Sequence, residues 1–164
     1  MKKLILAVAA VMVSVAAFAQ GTVTFNNRVT GVVDARVTDL SGAGVGAGYT
    51  AQLFGGPEGG ALSALTPTTT FRTSSAAAMG YVNAVVVEVP GVAASSKASL
   101  QMKVFQDGGG EVGASNTIVV TLGGGTLPPS NLEGLQAFTI IPEPSTFALA
   151  AIGGAALLFL RRRK

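Results

Sequence analysis

The sequence predicts an all-β protein: a single antiparallel β-sandwich of about seven or eight short strands, carried between two apolar terminal helices. Three observations lead there. Apolar and polar residues alternate with period two through the middle of the chain, whereas helical spacing is hard to find. Twenty of the 22 glycines lie between Gln20 and Ile141, mostly in clusters that interrupt strands. Each end instead holds a largely apolar, uncharged run of fourteen residues beside cations, 4–17 behind Lys2 and Lys3 and 147–160 before Arg161.

The first element is an export signal over residues 1–19. Two lysines, the apolar run and the ending Ala17-Phe18-Ala19 match what a signal peptidase cuts, with small side chains at Ala17 and Ala19 and cleavage before Gln20. Fourteen residues are short for a permanent span. The positive start stays cytoplasmic, so the mature chain begins at Gln20 on the far side of the membrane.

The body, residues 20–141, follows. In GTVTFNN, Val23 and Phe25 share one face while Thr22, Thr24 and Asn26 take the other. Leu100, Met102 and Val104 alternate with Gln101 and Lys103, and Ile118, Val120 and Leu122 with Thr117 and Thr121. The run YVNAVVVEV over 81–89 is nearly continuous in apolar residues and reads as a strand buried on both faces. SGAGVGAG, FGGPEGG, QDGGGEVG and LGGGTLPPSN read as turns. SSAAAMG over 74–80 has the composition of a helical turn that nothing extends.

Charge and residue usage remove whole classes of function. The net charge is +3, but between Gln20 and Ile141 five cations face seven anions, leaving that segment at −2. The basic character belongs to the two ends, so nucleic-acid binding has no electrostatic support. With no Cys and no His, thiol catalysis, serine–histidine triads and imidazole or thiolate metal sites are excluded. The glycines at 44, 46 and 48 lack the following helix that a phosphate cradle needs. Asp34 with Asp39, or Asp107 with Glu111, could offer oxygens to calcium, yet neither pair sits in a dense ligand loop. Sequence spacing cannot test a glycosidase pair among the seven carboxylates. Without Trp, a sugar-stacking surface falls to Tyr49 or Tyr81, each of which follows a glycine; Phe25, Phe54, Phe71, Phe105 and Phe138 are assigned to the core. No cofactor is expected.

The tail comprises residues 142–164. Its apolar run covers roughly 21 Å as a helix, against a hydrocarbon core of about 30 Å. Residues 146–160 therefore span a bilayer only marginally, with Arg161, Arg162, Arg163 and Lys164 holding a cytoplasmic end. Pro142 and Pro144 stop the last strand and keep Glu143 extended just outside the membrane. Physics alone leaves two readings, a permanent anchor and a label that is recognised and removed.

The order Pro142-Glu143-Pro144, short apolar helix and basic end resembles the PEP-CTERM sorting tail of many diderm bacteria. That resemblance covers only the last 23 residues. It implies recognition of Pro142, Glu143 and Pro144 by an exosortase, a cytoplasmic stop at Arg161, Arg162 and Arg163, export through the inner membrane and transient membrane anchoring. Delivery to the cell surface or exopolysaccharide matrix would follow. The resulting expectation is a non-enzymatic surface protein; the alternatives are a carbohydrate-binding module or a β-domain held permanently by its C-terminal helix.

Overall fold

A computed structural model of the protein describes residues 20–141. The signal segment, the tail and the helices expected on them lie outside the described residues. Twelve strands occur in chain order. They are β1 (Gln20–Phe25), β2 (Arg28–Val29), β3 (Val33–Asp34), β4 (Val37–Thr38), β5 (Tyr49–Pro57), β6 (Ser63–Ala64), β7 (Thr69–Thr70), β8 (Val85–Ala93), β9 (Lys97–Gln106), β10 (Glu111–Ala114), β11 (Ile118–Thr121) and β12 (Phe138–Thr139). The all-β class holds and no helix occurs among the described residues. The strand number does not: six of the twelve are two-residue pieces that pair only locally.

The centre is the antiparallel pair β5–β9, joined over nine positions from Tyr49↔Gln106 to Pro57↔Ala98. Both outer edges of this pair are shared. β7 and β6 take successive stretches of β5, while β10 and β11 divide β9 between them. A second ribbon, β1–β8, runs from Gln20↔Ala93 to Phe25↔Val85, and β8 packs beside β5. β2 and β3 form a small hairpin. One pairing breaks the expected antiparallel pattern: β12 lies parallel to β4, Phe138 opposite Val37 and Thr139 opposite Thr38.

Period-two alternation places the core. Val23 and Phe25 of β1, Val87 and Val89 of β8, Ala51 and Leu53 of β5, and Leu100, Met102 and Val104 of β9 are fully buried and belong to one apolar cluster. Ile118, Val120 and Leu122 join it as expected. Each large aliphatic side chain so placed contributes about 1.5–3 kcal/mol relative to exposure.

Two expectations fail for identifiable reasons, and a third holds. The 81–89 run is not one strand buried twice: β8 starts at Val85, and its outer face carries Val86, 52% exposed, and exposed Glu88. Nothing covers that face among the described residues, so within β8 it is Val87, Val89 and Val92 that go inward. FGGPEGG is not a turn throughout, because β5 continues to Pro57. There Gly55 faces Leu100 and Leu65, and a Cβ on Gly56 would run into the Ala61 carbonyl oxygen, so absence of a side chain is what admits the neighbouring chain. SSAAAMG closes a single turn, with the Ala78 and Met79 amides both donating to the Ser75 carbonyl. It ends at Gly80, whose φ of +89° suits glycine and whose added Cβ would lie 2.5 Å from the Val37 carbonyl oxygen.

Candidate functional site

The polar architecture starts from Asn27, two residues past the end of β1 and fully buried. Its side-chain amide donates to the Ala35 carbonyl at 2.7 Å and the Gly80 carbonyl at 2.9 Å, and its carbonyl oxygen accepts from the Val82 amide at 2.9 Å. One side chain thus ties the β2–β4 region to the segment 80–82, far away in sequence. The tie fixes Tyr81. That residue is 6% exposed, donates its hydroxyl to Asp34 at 2.6 Å, and has the Arg28 guanidinium 4.6 Å from its ring centroid. The hydrogen bond to Asp34, then burial, raise the phenol above its ordinary pKa. A buried ring already covered by a guanidinium cannot serve as an open sugar platform, which corrects the expectation for Tyr81.

Tyr49 is placed differently. It begins β5, half-buried, and its inner side packs against the core. Three pairings gather residues around it. The β5–β9 register sets Gln106 opposite Tyr49, so Asp107 follows beside it, and the Asp107 amide donates to the Gly48 carbonyl at 2.9 Å. The β5–β7 pairing of Thr50 with Thr70 brings the chain from Thr70 to Ser74 alongside. The bridge between Phe71 and Val82 then delivers Asn83. The result is an open cleft of about 580 Å³ lined by Tyr49, Arg72, Thr73, Ser74, Asn83 and Asp107, with buried Phe71 beneath.

The polar groups of this cleft are held. Arg72 Nε donates to the Val82 carbonyl at 2.9 Å, and Asn83 Nδ2 reaches Thr70 Oγ1 at 3.1 Å. Asp107 Oδ1 accepts from Thr50 Oγ1 at 2.9 Å. Arg72 and Asp107 are the charged lining residues and cancel each other. Of these residues the sequence singled out Tyr49, and Asp107 only for calcium. Arg72 and Asn83 carried no local signal, since they arrive through pairings remote in the chain.

The aromatic residues split in a way alternation did not convey. Phe25 and Phe71 are buried and Phe138 packs on the core, but Phe54 and Phe105 stand half-exposed on the outward face of β5 and β9, a correction to their core assignment. Their rings stack 6.3 Å apart at 26°. Lys103 lies 4.7 Å from the Phe54 centroid and bonds Glu111 at 2.8 Å, while Gln52 and Gln101 donate to the Leu65 and Ser115 carbonyls. Each polar residue beside these rings is thus held by a neighbour. The four carboxylates weighed for calcium also have separate partners: Tyr81 for Asp34, Ser41 for Asp39, Thr50 for Asp107 and Lys103 for Glu111. No group of three or more potential metal ligands gathers among the described residues.

The other functional feature is the C-terminal junction. The Ile140 amide donates to the Thr38 carbonyl and the Ile141 amide to the Val112 carbonyl, each at 2.8 Å. The Ile140 side chain is fully buried while Ile141 is 65% exposed. The fold is thus fastened up to the residue before Pro142. The sorting residues Pro142, Glu143 and Pro144, the basic end Arg161, Arg162, Arg163 and Lys164, and Ala17 and Ala19 of the signal-peptidase site lie outside the described residues; Gln20 is the first residue of β1.

Residues 141–164 match the PEP-CTERM protein-sorting motif. No curated protein and no solved structure matches the chain. The motif supports exosortase-dependent sorting of an exported protein, and it implies an exosortase as processing partner and a transient C-terminal anchor.

Proposed function

We propose that this chain is a non-enzymatic surface or exopolysaccharide-matrix protein of a diderm bacterium, exported by its 1–19 signal peptide and released from its tail by an exosortase. The observation that carries the proposal is the sorting motif over 141–164, which begins where the β-fold ends. A cut after Pro142 leaves Ile140 and its hydrogen bond inside the domain, so removing the label takes nothing from the core. The separate partners of Asp34, Asp39, Asp107 and Glu111 support a role without catalysis. A single antiparallel sandwich remains our finer description of the fold, supported by the β1–β8 ribbon and the β5–β9 sheet contributing to one core.

Mass spectrometry of the mature protein from its native host tests this. The expected product starts at Gln20 and ends between Pro142 and Ser145. A steady-state product that retains Lys164 would instead establish the permanent-anchor reading.

A further inference from the structure

We propose that the cleft beside Tyr49 is a binding site for a neutral glycan segment. This deepens the surface-protein reading by naming a partner, and rests on it only for where that partner is met.

A pyranose ring offers an apolar face of C–H groups and a rim of hydroxyls that both donate and accept. Its complement is an aromatic side chain beside planar polar groups of fixed orientation. Tyr49 provides the aromatic side chain, half-buried at the cleft edge. Arg72, Asn83 and Asp107 provide the planar groups, each already fixed by bonds to the protein: Arg72 through Nε and Nη2, Asn83 through Nδ2 and Asp107 through Oδ1. The second face of each remains: Asp107 Oδ2, Asn83 Oδ1 and the Arg72 Nη1 amine make no hydrogen bond to another described residue. Thr73 and Ser74 add two exposed hydroxyls. Groups tethered on one side and open on another are pre-organised, so binding loses little side-chain entropy.

Charge selects among ligands. The one guanidinium is balanced by the one carboxylate, so the cleft favours neither an anionic nor a cationic polymer. An anion would meet Asp107, and a cation would meet Arg72. A wholly apolar ligand would strand the open acceptors at Asn83 and Asp107 away from water. A polyhydroxylated neutral ligand satisfies donors and acceptors together. The volume of about 580 Å³ lies within the range of small-ligand sites, and the cleft is open enough for a chain to continue past it. The Phe54–Phe105 face offers a larger aromatic surface, but the Lys103 ammonium, paired with Glu111, already lies over the Phe54 ring.

The test is affinity electrophoresis of the full chain in mild detergent through gels containing neutral polysaccharides (dextran, mannan, galactan and xylan) or acidic ones (alginate and polygalacturonate). Retardation by at least one neutral polymer is expected. Tyr49→Ala should weaken it about tenfold and Asn83→Ala about threefold, each a loss on the scale of one stacking or hydrogen-bonding contact. Tyr49→Phe should retain most of the binding, and because it keeps the packing against the core it separates loss of binding from loss of fold. Retardation by acidic polymers alone, unchanged retardation in both alanine variants, or no retardation by any polymer would overturn the proposal. None of these results alters the termini found by mass spectrometry, so failure here and failure of the sorting reading are distinguishable.

Discussion

Replacing Asn27 by Ala isolates the contribution of one buried amide. The substitution removes three hydrogen bonds, but their losses are unequal. The Gly80 carbonyl keeps the Val37 amide, which donates to it at 3.0 Å, and is not orphaned. The Val82 amide and the Ala35 carbonyl lose the side-chain partner that satisfies them. A buried group left without a partner costs about 1–3 kcal/mol, so two such groups predict a destabilisation of about 4 kcal/mol. Urea unfolding followed by far-ultraviolet circular dichroism measures this as a shift in midpoint at unchanged slope. A loss below about 1 kcal/mol would refute the reasoning, because water or a backbone adjustment would then be replacing the amide at little cost. Asn27→Asp provides an independent check. The carboxyl can still accept from Val82, but when ionised it points at the two carbonyl oxygens that the amide once served. Burial and these oxygens raise the folded-state pKa of the introduced carboxyl above its unfolded value of about 3.9. The penalty relative to wild type therefore grows as pH rises through the window between those values, and is complete above the folded pKa. Acidification should narrow the gap between the two proteins.

Three further outcomes follow from other sites. Gly56→Ala should lower the melting temperature sharply, by the equivalent of about 2 kcal/mol or more, because the new Cβ meets the Ala61 backbone oxygen rather than a movable side chain; an unchanged melting curve would contradict the close approach. Tyr81 has its phenol pKa raised by the Asp34 hydrogen bond and burial, so its contribution is complete below the unfolded value near 10 and declines as pH rises through the folded one. Tyr81→Phe should remove that alkaline decline, read by denaturation at a series of alkaline pH values. Asp39 is held below the ordinary carboxylate range chiefly by the Ser41 hydroxyl; desolvation opposes this, and the Ser41, Ala43 and Gly42 amides add to it. Its support for the turn is present above the unfolded carboxylate pKa and is lost as pH falls through the depressed value. Ser41→Ala should move the Asp39 titration upward by nuclear magnetic resonance.

What the sequence conveyed and what it withheld divide along a physical line. Alternation reports one neighbour per face, so Val23 with Phe25, Leu100 with Met102 and Val104, and Ile118 with Val120 were readable as inward pairs. It does not report whether a second layer covers the outer face. That is why 81–89 looked doubly buried when Val86 meets solvent, and why Phe54 and Phe105 looked like core. Glycine carries opposite meanings that composition cannot separate: a turn at Gly80 and a close strand approach at Gly55 and Gly56. Asn27 gave no signal at all, since its importance comes from Gly80 and Val82, more than fifty positions away. The same distance hides the cleft. Tyr49 could be singled out by type, but Arg72, Asn83 and Asp107 become its neighbours only through the β5–β7 and β5–β9 registers.

The short parallel strand β12 has a mechanical consequence. Any tension carried by the C-terminal segment enters the folded domain at Ile141, which is tied to Val112 by a single backbone bond. Behind it lie the two-residue pairing with β4, the hydroxyl bond between Thr38 and Thr139, Phe138 against the core and the buried Ile140 side chain. The nine-position β5–β9 ladder is loaded last. Under tension on the C-terminal segment, β12 is therefore the pairing expected to peel first. The sheets that hold the Tyr49 cleft stay intact.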